Sequence, residues 1–257
     1  MTEQEEIDQL VIKRFSDQHL HGSFNPVLYT IPAYKEKDSI SNVLETLPKE
    51  VCSLKTTTLV VVDGDDDGTS DIVREQGAYV VVSPTNRGQG ASLRVAYRLA
   101  QQFKSRVVIT IDADGQCSPS DIEPVASPVI YGQADISLGS RIRGATDSTD
   151  NIRNLGVKVF SGLITRMTGQ FVTDPANPLR AFDVTAINSL KLTQDQYQSS
   201  EVIISAIKNR LRVTEVPALM KVRTEGKSKK GGSLKYGYNF SKVVFSTYLK
   251  QRSSKHI

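Results

Sequence analysis

The sequence is poor in sulfur, has no long apolar run and carries no large excess of either charge. It has only two cysteines, Cys52 and Cys117, and their spacing fits neither a metal knuckle nor a redox pair. A disulfide framework is thereby set aside, and a reducing, cytoplasmic setting is the simple expectation. The longest apolar stretches, such as residues 59–62 and 107–111, are strand-sized. They fall far short of the roughly 20 residues that span a bilayer. Residues 1–18 are acidic and then mixed, without the apolar centre of a secretory signal. Lys and Arg number 32 against 28 Asp and Glu, a net charge of +4. That mild balance suits an anionic ligand. No basic stripe interleaved with aromatics accompanies it, so nucleic acid is not an expected partner. No internal repeat or linker is present.

What is there is a 257-residue chain with 39% apolar residues, enough for one large α/β domain. A polar helix over residues 3–19 is expected as an appendage. Strands are then expected at 27–31, 57–62, 78–82, 106–111 and 135–138, from β-branched and apolar runs. Helices are expected between them at 38–47, 69–76, 88–104 and 119–131, from apolar residues at helical spacing. Alternation of this kind predicts βαβ units and a mostly parallel, Rossmann-like sheet flanked by helices. Beyond Gly139 the regularity fades. Residues 141–150 read as a loop, 152–168 as a helix and 173–180, with two prolines, as irregular. A helix at 200–210, an extended segment at 212–222, a Gly/Lys-rich loop at 224–232 and an amphipathic helix at 234–251 complete the expectation. The division follows as an appendage (1–24), a main domain (25–232) and a C-terminal tail (233–257). Within the main domain, 25–140 would bind a nucleotide and 141–232 an acceptor.

Ligands of open α/β sheets bind beyond the carboxyl ends of the strands. Three acidic segments follow strands here: residues 32–36, 63–69 and 112–116. Asp112 and Asp114 stand two apart in extended chain and so point to one side. Their hard oxygens suit Mg²⁺ or Mn²⁺, which take remaining ligands from substrate phosphates. Asp63, Asp65, Asp67 and Gly68 also match the opening of a calcium-binding loop, but Arg74 stands where that loop needs a bidentate Glu, and a strand precedes it. The segment equally suits a cap for the helix at Thr69. Asn86-Arg87-Gly88-Gln89-Gly90 opens a helix, where the backbone at Gly90 could approach a ligand and Arg87 could contact phosphate.

In order along residues 27–229, these segments resemble the dolichyl-phosphate mannosyltransferase-like branch of the family 2 glycosyltransferases, enzymes of the GT-A fold. Residues 31–36 (Ile-Pro-Ala-Tyr-Lys-Glu) are similar to that family's Ile-Pro-x-Tyr-Asn-Glu, and residues 61–69 to its Val-Val-Asp-Asp-Gly-Ser-x-Asp-Gly-Thr, one residue shorter. Asp112-Ala113-Asp114-Gly115-Gln116, followed by Pro119 and Asp121, is the most specific match. Gly139-Ser-Arg141, Arg153-x-x-Gly156, residues 174–180 and Arg223-x-x-Gly226-x-Ser228-Lys229 follow at the family's places. The resemblance implies that Pro32, Tyr34, Glu36 and Asp63, with Asp65 on the same loop, line the nucleoside pocket. It implies a divalent-metal site at Asp112, Asp114 and Gln116, with Ala113 between them on the donor. Arg141 and Arg153 would bind the acceptor's phosphate, Arg180 would lie near the sugar or the acceptor, and Arg223, Ser228 and Lys229 would close over the diphosphate.

The expected reaction is inverting transfer from a GDP- or UDP-linked sugar to a phosphate-bearing acceptor such as a polyprenyl phosphate. The metal and the basic groups would stabilise the departing diphosphate, so Asp114 and Arg180 are expected in the catalytic set. A hydroxyl acceptor would need a general base, for which Asp174 is the candidate. Two other classes stay open: a sugar-phosphate nucleotidyltransferase, although its Gly-x-Gly-x-Arg loop is missing after the first strand, and a non-catalytic nucleotide-sugar-binding domain. The tail, with Lys235, Lys242, Lys250 and Arg252 among Tyr238, Phe240, Val244 and Phe245, reads either as a helix packed on the domain or as a peripheral membrane contact.

Overall fold

The computed structural model describes residues 2–64, 67–144, 159, 161–166, 169–196 and 198–219. Its centre is an eight-stranded sheet. The strands are β1 (Val27–Ala33), β2 (Glu50–Val51), β3 (Leu54–Asp63), β4 (Tyr79–Ser83), β5 (Val107–Thr110), β6 (Ile136–Ser140), β7 (Arg180–Asp183) and β8 (Val213–Pro217). β4, β3, β1 and β5 run parallel in that spatial order. β7 then enters antiparallel between β5 and β6, and β8 lies parallel to β6 at the far edge. β5 and β6 therefore point the same way. The carboxyl ends of β1, β3, β5, β6 and β8 share one rim with the first residue of β7.

Burial on both faces explains the near-continuous apolar runs of the parallel strands. In β1 and β5, Leu28 and Val108 face α4 (Gln89–Gln102), packing against Val95 and Leu99. Tyr29 and Ile109 face α5 (Ile122–Ile130) and meet Val125 and Val129. Nearer the rim, Ile31 and Val60 lie against Ile40 and Val43 of α2 (Ile40–Thr46) and Val73 of α3 (Thr69–Glu75). Fully burying one such side chain contributes about 1.5–3 kcal/mol.

α1 (Glu3–Gln18) is a docked part of this domain and not the expected appendage. It opens with a capping box between Thr2 and Glu5. It buries Val11 and Phe15, and the Phe15 ring sits 5.4 Å from Phe103 and 5.9 Å from Tyr79. The tight β2–β3 turn puts two non-glycine residues, Cys52 and Ser53, at positive φ (48° and 63°). Neither has the Asn-Gly chemistry that announces such a turn, and this explains why the sequence reading begins the strand at Thr57 instead of Leu54. Arg180, placed by that reading at the end of an irregular segment, is the first residue of β7. The helix expected from 200 is α7 (Gln198–Lys208), preceded by the short α6 (Val184–Ser189). Among the described residues no helix is long and apolar enough to cross a membrane. The expected structures at 145–158 and 220–257 lie outside the described residues.

Candidate active site

Asp112 follows β5 by two residues. Asp112 and Asp114 are half-buried, while Ala113 between them is 3% exposed and packs among Ile31, Ile40 and Val43. The two carboxylates thus flank a buried alanine just beyond β5, and Asp112 lines the open clefts of the rim. Gly115 (φ 71°) then bends the chain back, so that the Gln116 N–H donates to Asp114 Oδ1 at 3.1 Å. Asp112 Oδ1 accepts from Gln89 Nε2 at 2.6 Å. Ile111 and Asp112 form a wall between two clefts. One, lined by Pro32, Gln89, Tyr97 and Arg180, lies toward α4; the other, of about 200 Å³, opens over Val43, Leu47 and Gly115.

The donor set fits a hard divalent cation completed by substrate. Asp112, Asp114 and the half-buried Gln116 offer oxygen only, which suits Mg²⁺ or Mn²⁺. Among the described residues no group of three or more His, Cys, Asp or Glu could hold a metal alone, so remaining positions would fall to phosphate and water.

The β1 and β3 ends form the neighbouring wall. Pro32 lines the cleft, and Tyr34 is half-buried with Lys35 Nζ 5.5 Å above its ring. Glu36 accepts from Ser39 Oγ at 2.9 Å, and its own N–H donates to Thr69 Oγ1 at 3.1 Å, tying the two loops together. Asp63 turns inward. Its two oxygens accept from the N–H groups of Arg87 (3.0 Å) and Gly88 (2.5 Å). Burial pushes its carboxyl pKa up, and those two donors and the Arg87 charge oppose the shift without cancelling it. Asp63 is thus a strut between β3 and the loop before α4.

Four expected assignments are not supported by this geometry. Arg87, read as a phosphate contact, donates to Asp8 Oδ1 of α1 and to the Gln4 carbonyl. Gly90, read as making room for a ligand, instead makes room for protein. A Cβ on Gly88 would overlap Gln196, and one on Gly90 would overlap the carbonyl of Gln194. The Gly90 N–H already donates to Asp195 O at 2.8 Å. The start of α4 is therefore covered by residues 194–196, which Arg94 secures through Gln194 O and the Asp195 carboxylate.

The other two are Arg141 and Asp174. Arg141 donates from Nε and Nη2 to the two oxygens of Asp174, at 2.6 and 2.7 Å, and its backbone N–H adds a third bond at 3.1 Å. Asp174 is fully buried and the Arg141 side chain is 8% exposed. An enclosed bidentate pair of this kind takes the carboxylate out of service as a general base and occupies the guanidinium's fork.

Arg180 stays beside Asp112 in the cleft wall, but its guanidinium holds backbone: Nε to Asn177 O, Nη1 to Ser199 O and Nη2 to Pro175 O. Burial lowers its pKa, opposed by the charges nearby on Asp174 and Asp112. Arginine remains a cation under such a shift. Asp65, Arg153, Arg223, Ser228 and Lys229 lie outside the described residues. Sequence reasoning missed Gln89, which grips Asp112, and Glu215, whose carboxylate accepts from Thr173 N and Asp174 N. The only signal at Glu215 is an acid inside an otherwise strand-like run.

Comparison with known proteins agrees with this architecture. The profile described as Glycosyl transferase family 2 matches residues 30–190. An uncharacterised protein of Methanocaldococcus jannaschii is 32% identical over 249 residues, covering 94% of this chain and 98% of its own. A UDP-N-acetylglucosamine–dolichyl-phosphate N-acetylglucosaminyltransferase of Methanococcus voltae is 29% identical over 233 residues, 81% of this chain and 90% of its own. Among solved structures, glucosyl-3-phosphoglycerate synthase of Mycobacterium tuberculosis, in complex with Mn²⁺, UDP-glucose and phosphoglyceric acid, superposes with a TM-score of 0.65 at 17% identity, over 93% of this chain and 82% of that one. The fold is GT-A. The chain is a glycosyltransferase, and it belongs to glycosyl transferase family 2.

Proposed function

We propose that this chain transfers a sugar from a nucleotide-sugar to a phosphate-bearing acceptor of the polyprenyl-phosphate kind, with inversion. The observation that carries this reading is the pair of half-buried carboxylates, Asp112 and Asp114, on either side of the buried Ala113 just beyond β5, with Asp112 in the wall of both clefts. The Methanococcus voltae relative, named for a UDP-sugar donor and a dolichyl-phosphate acceptor, supports the same substrate classes. The Mycobacterium tuberculosis structure, which holds Mn²⁺ and UDP-glucose, supports a divalent cation and a uridine donor.

Asp112 and Asp114, with Gln116, would hold the cation, which supplies positive charge against the departing diphosphate. Gln89 fixes Asp112 and the Gln116 N–H fixes Asp114, so that the oxygens need not reorganise as charge develops. Arg180 adds a buried positive charge behind Asp112. Pro32, Tyr34 and Glu36 form the wall offered to the nucleoside. The engagement of Asp174 with Arg141 favours an acceptor that is already an anion, because such a nucleophile needs no general base. A lipid-linked acceptor would bring the protein to a membrane surface.

The test is a transfer assay with labelled UDP- and GDP-sugars and a prenyl phosphate, with Mn²⁺, with Mg²⁺ and with chelator. Activity that needs a divalent cation and falls at least a hundredfold in Asp114→Ala supports the reading. Full activity of that variant, or of wild type in chelator, sinks the metal assignment.

A further inference from the structure

We infer that α1 is a positioning element of the proposed cation site. Asp8 and Arg87 fix the turn from which Gln89 reaches Asp112, and so raise the affinity for the divalent cation. This rests on the metal reading proposed above and extends it to a helix that supplies no ligand.

The turn Arg87-Gly88-Gln89 joins three parts of the molecule. The Arg87 guanidinium is spent on α1: Nη2 donates to Asp8 Oδ1, and Nη1 donates to the Gln4 carbonyl at 3.0 Å. The N–H groups of Arg87 and Gly88 are spent on β3, through the two oxygens of Asp63. The Gln89 side chain is spent on Asp112, whose Oδ1 it reaches at 2.6 Å. From Asp8 to Asp112 the path is one buried ion pair, three consecutive residues and one hydrogen bond.

Asp8 secures the turn from its other side as well. Arg94 and Arg98 stand four apart on one face of α4, and both turn toward Asp8, at 3.6 and 3.8 Å. Arg94 also pairs with Asp195 and donates to the Gln194 carbonyl at 2.8 Å. The segment it holds closes over the turn: Gln196 Nε2 donates to Arg87 O at 3.3 Å, and Asp195 O accepts from the Gly90 N–H at 2.8 Å. The side chains of Asp8, Arg87 and Arg94 are 2%, 8% and 10% exposed. Water is largely excluded there, so the loss of Asp8 leaves both guanidiniums to seek other partners.

A helix that only stabilises and a helix that positions differ in one consequence. If α1 only stabilises, a variant that weakens its docking melts earlier and binds the cation as before. If α1 positions, Asp112 loses its fixed orientation while the protein is still folded, and the cation binds more weakly. Direct partners of metal ligands change affinity by about 10–100-fold; Asp8 acts one step further back, and a change of about fivefold is expected.

The test is calorimetric binding of UDP to the full chain over a series of Mn²⁺ concentrations and with chelator, well below the melting temperature of each variant. The quantity read is the Mn²⁺ concentration that gives half of the metal-dependent gain in UDP affinity. Asp8→Asn is expected to raise it about fivefold. Arg87→Met breaks the same tether and leaves Asp8 to Arg94 and Arg98; it is expected to act in the same direction, and it carries the test if Asp8→Asn does not fold. Val11→Ala removes apolar bulk from the buried face of α1, and is expected to lower the melting temperature while leaving that Mn²⁺ concentration within twofold. In a Gln89→Leu background Asp8→Asn should add less than twofold, because the path runs through Gln89. Tether variants within twofold of wild type overturn the inference, as does a full further loss in the Gln89→Leu background or an equal loss in Val11→Ala. Wild type whose UDP affinity is the same with Mn²⁺ and with chelator overturns the metal reading and this inference with it.

Discussion

Arg141 and Asp174 hold each other through two parallel bonds of 2.6 and 2.7 Å, 33 residues apart in sequence and enclosed in the protein. Removing one partner from such a pair leaves a charge without water or counterion, at a cost of about 3–5 kcal/mol. Asp174→Asn is therefore expected to lower the melting temperature by several degrees or more, and Arg141→Ala to do the same. The measurement is a thermal melt followed by circular dichroism. A dedicated general base would behave otherwise: its loss would remove activity and leave the melt in place. An unchanged melting temperature for Asp174→Asn would reject the structural role.

What could be read in the sequence was what local pattern fixes. Val27 to Ile31 and Val107 to Ile111 are legible as strands because both faces of the sheet are covered, which demands unbroken apolar runs. That Asp112 and Asp114 stand just beyond a strand end is legible because the apolar run before them is local. β7 was not legible. Its four residues, Arg-Ala-Phe-Asp, begin and end in charge, and only pairing with β5 and β6 makes them a strand. The fates of Arg87 and Arg141 were hidden for a related reason. Their partners, Asp8 and Asp174, lie 79 and 33 residues away. A motif states which residue is present, while tertiary contact decides which way its side chain is spent.

The crossing of residues 194–196 over α4 makes Gly90 a packing residue. Gly90→Ala drives a methyl group into the Gln194 carbonyl, where the opposing atom belongs to the backbone and cannot swing aside. Overpacking of this kind costs about 1–3 kcal/mol. The expected result is a lower melting temperature together with faster proteolysis near residue 195. If the glycine served only to admit a ligand, the variant would keep its stability and lose donor affinity instead.

Asp8 binds the first helix to the domain. Its carboxylate is 2% exposed and faces Arg87, Arg94 (3.6 Å) and Arg98 (3.8 Å). Arg94 in turn holds Asp195, so one buried acid connects α1, α4 and the 194–196 crossing. Asp8→Asn leaves two largely buried guanidiniums without that charge, and a loss of about 3 kcal/mol is expected. For a domain of this size that corresponds to a fall of roughly 6–12 °C. Hydrogen exchange should rise in α1 and around residue 195 together. Exchange confined to α1 would break the proposed connection.

Gln89 is the first residue of α4 and donates to Asp112 Oδ1 at 2.6 Å. It touches the carboxylate without being an obvious metal ligand, so its influence should run through orientation. Outer partners of metal ligands typically affect affinity by about 10–100-fold. Gln89→Leu keeps the apolar bulk and removes the donor, and is expected to raise the Mn²⁺ concentration for half-maximal activity by about tenfold. The rate at saturating Mn²⁺ should recover much of its value, because Asp112 and Asp114, the proposed ligands, remain. The melting temperature without metal should change little. A rate lost at every Mn²⁺ concentration would mean that Gln89 contacts the donor directly, and an unchanged metal requirement would mean that its bond to Asp112 has no bearing on the cation.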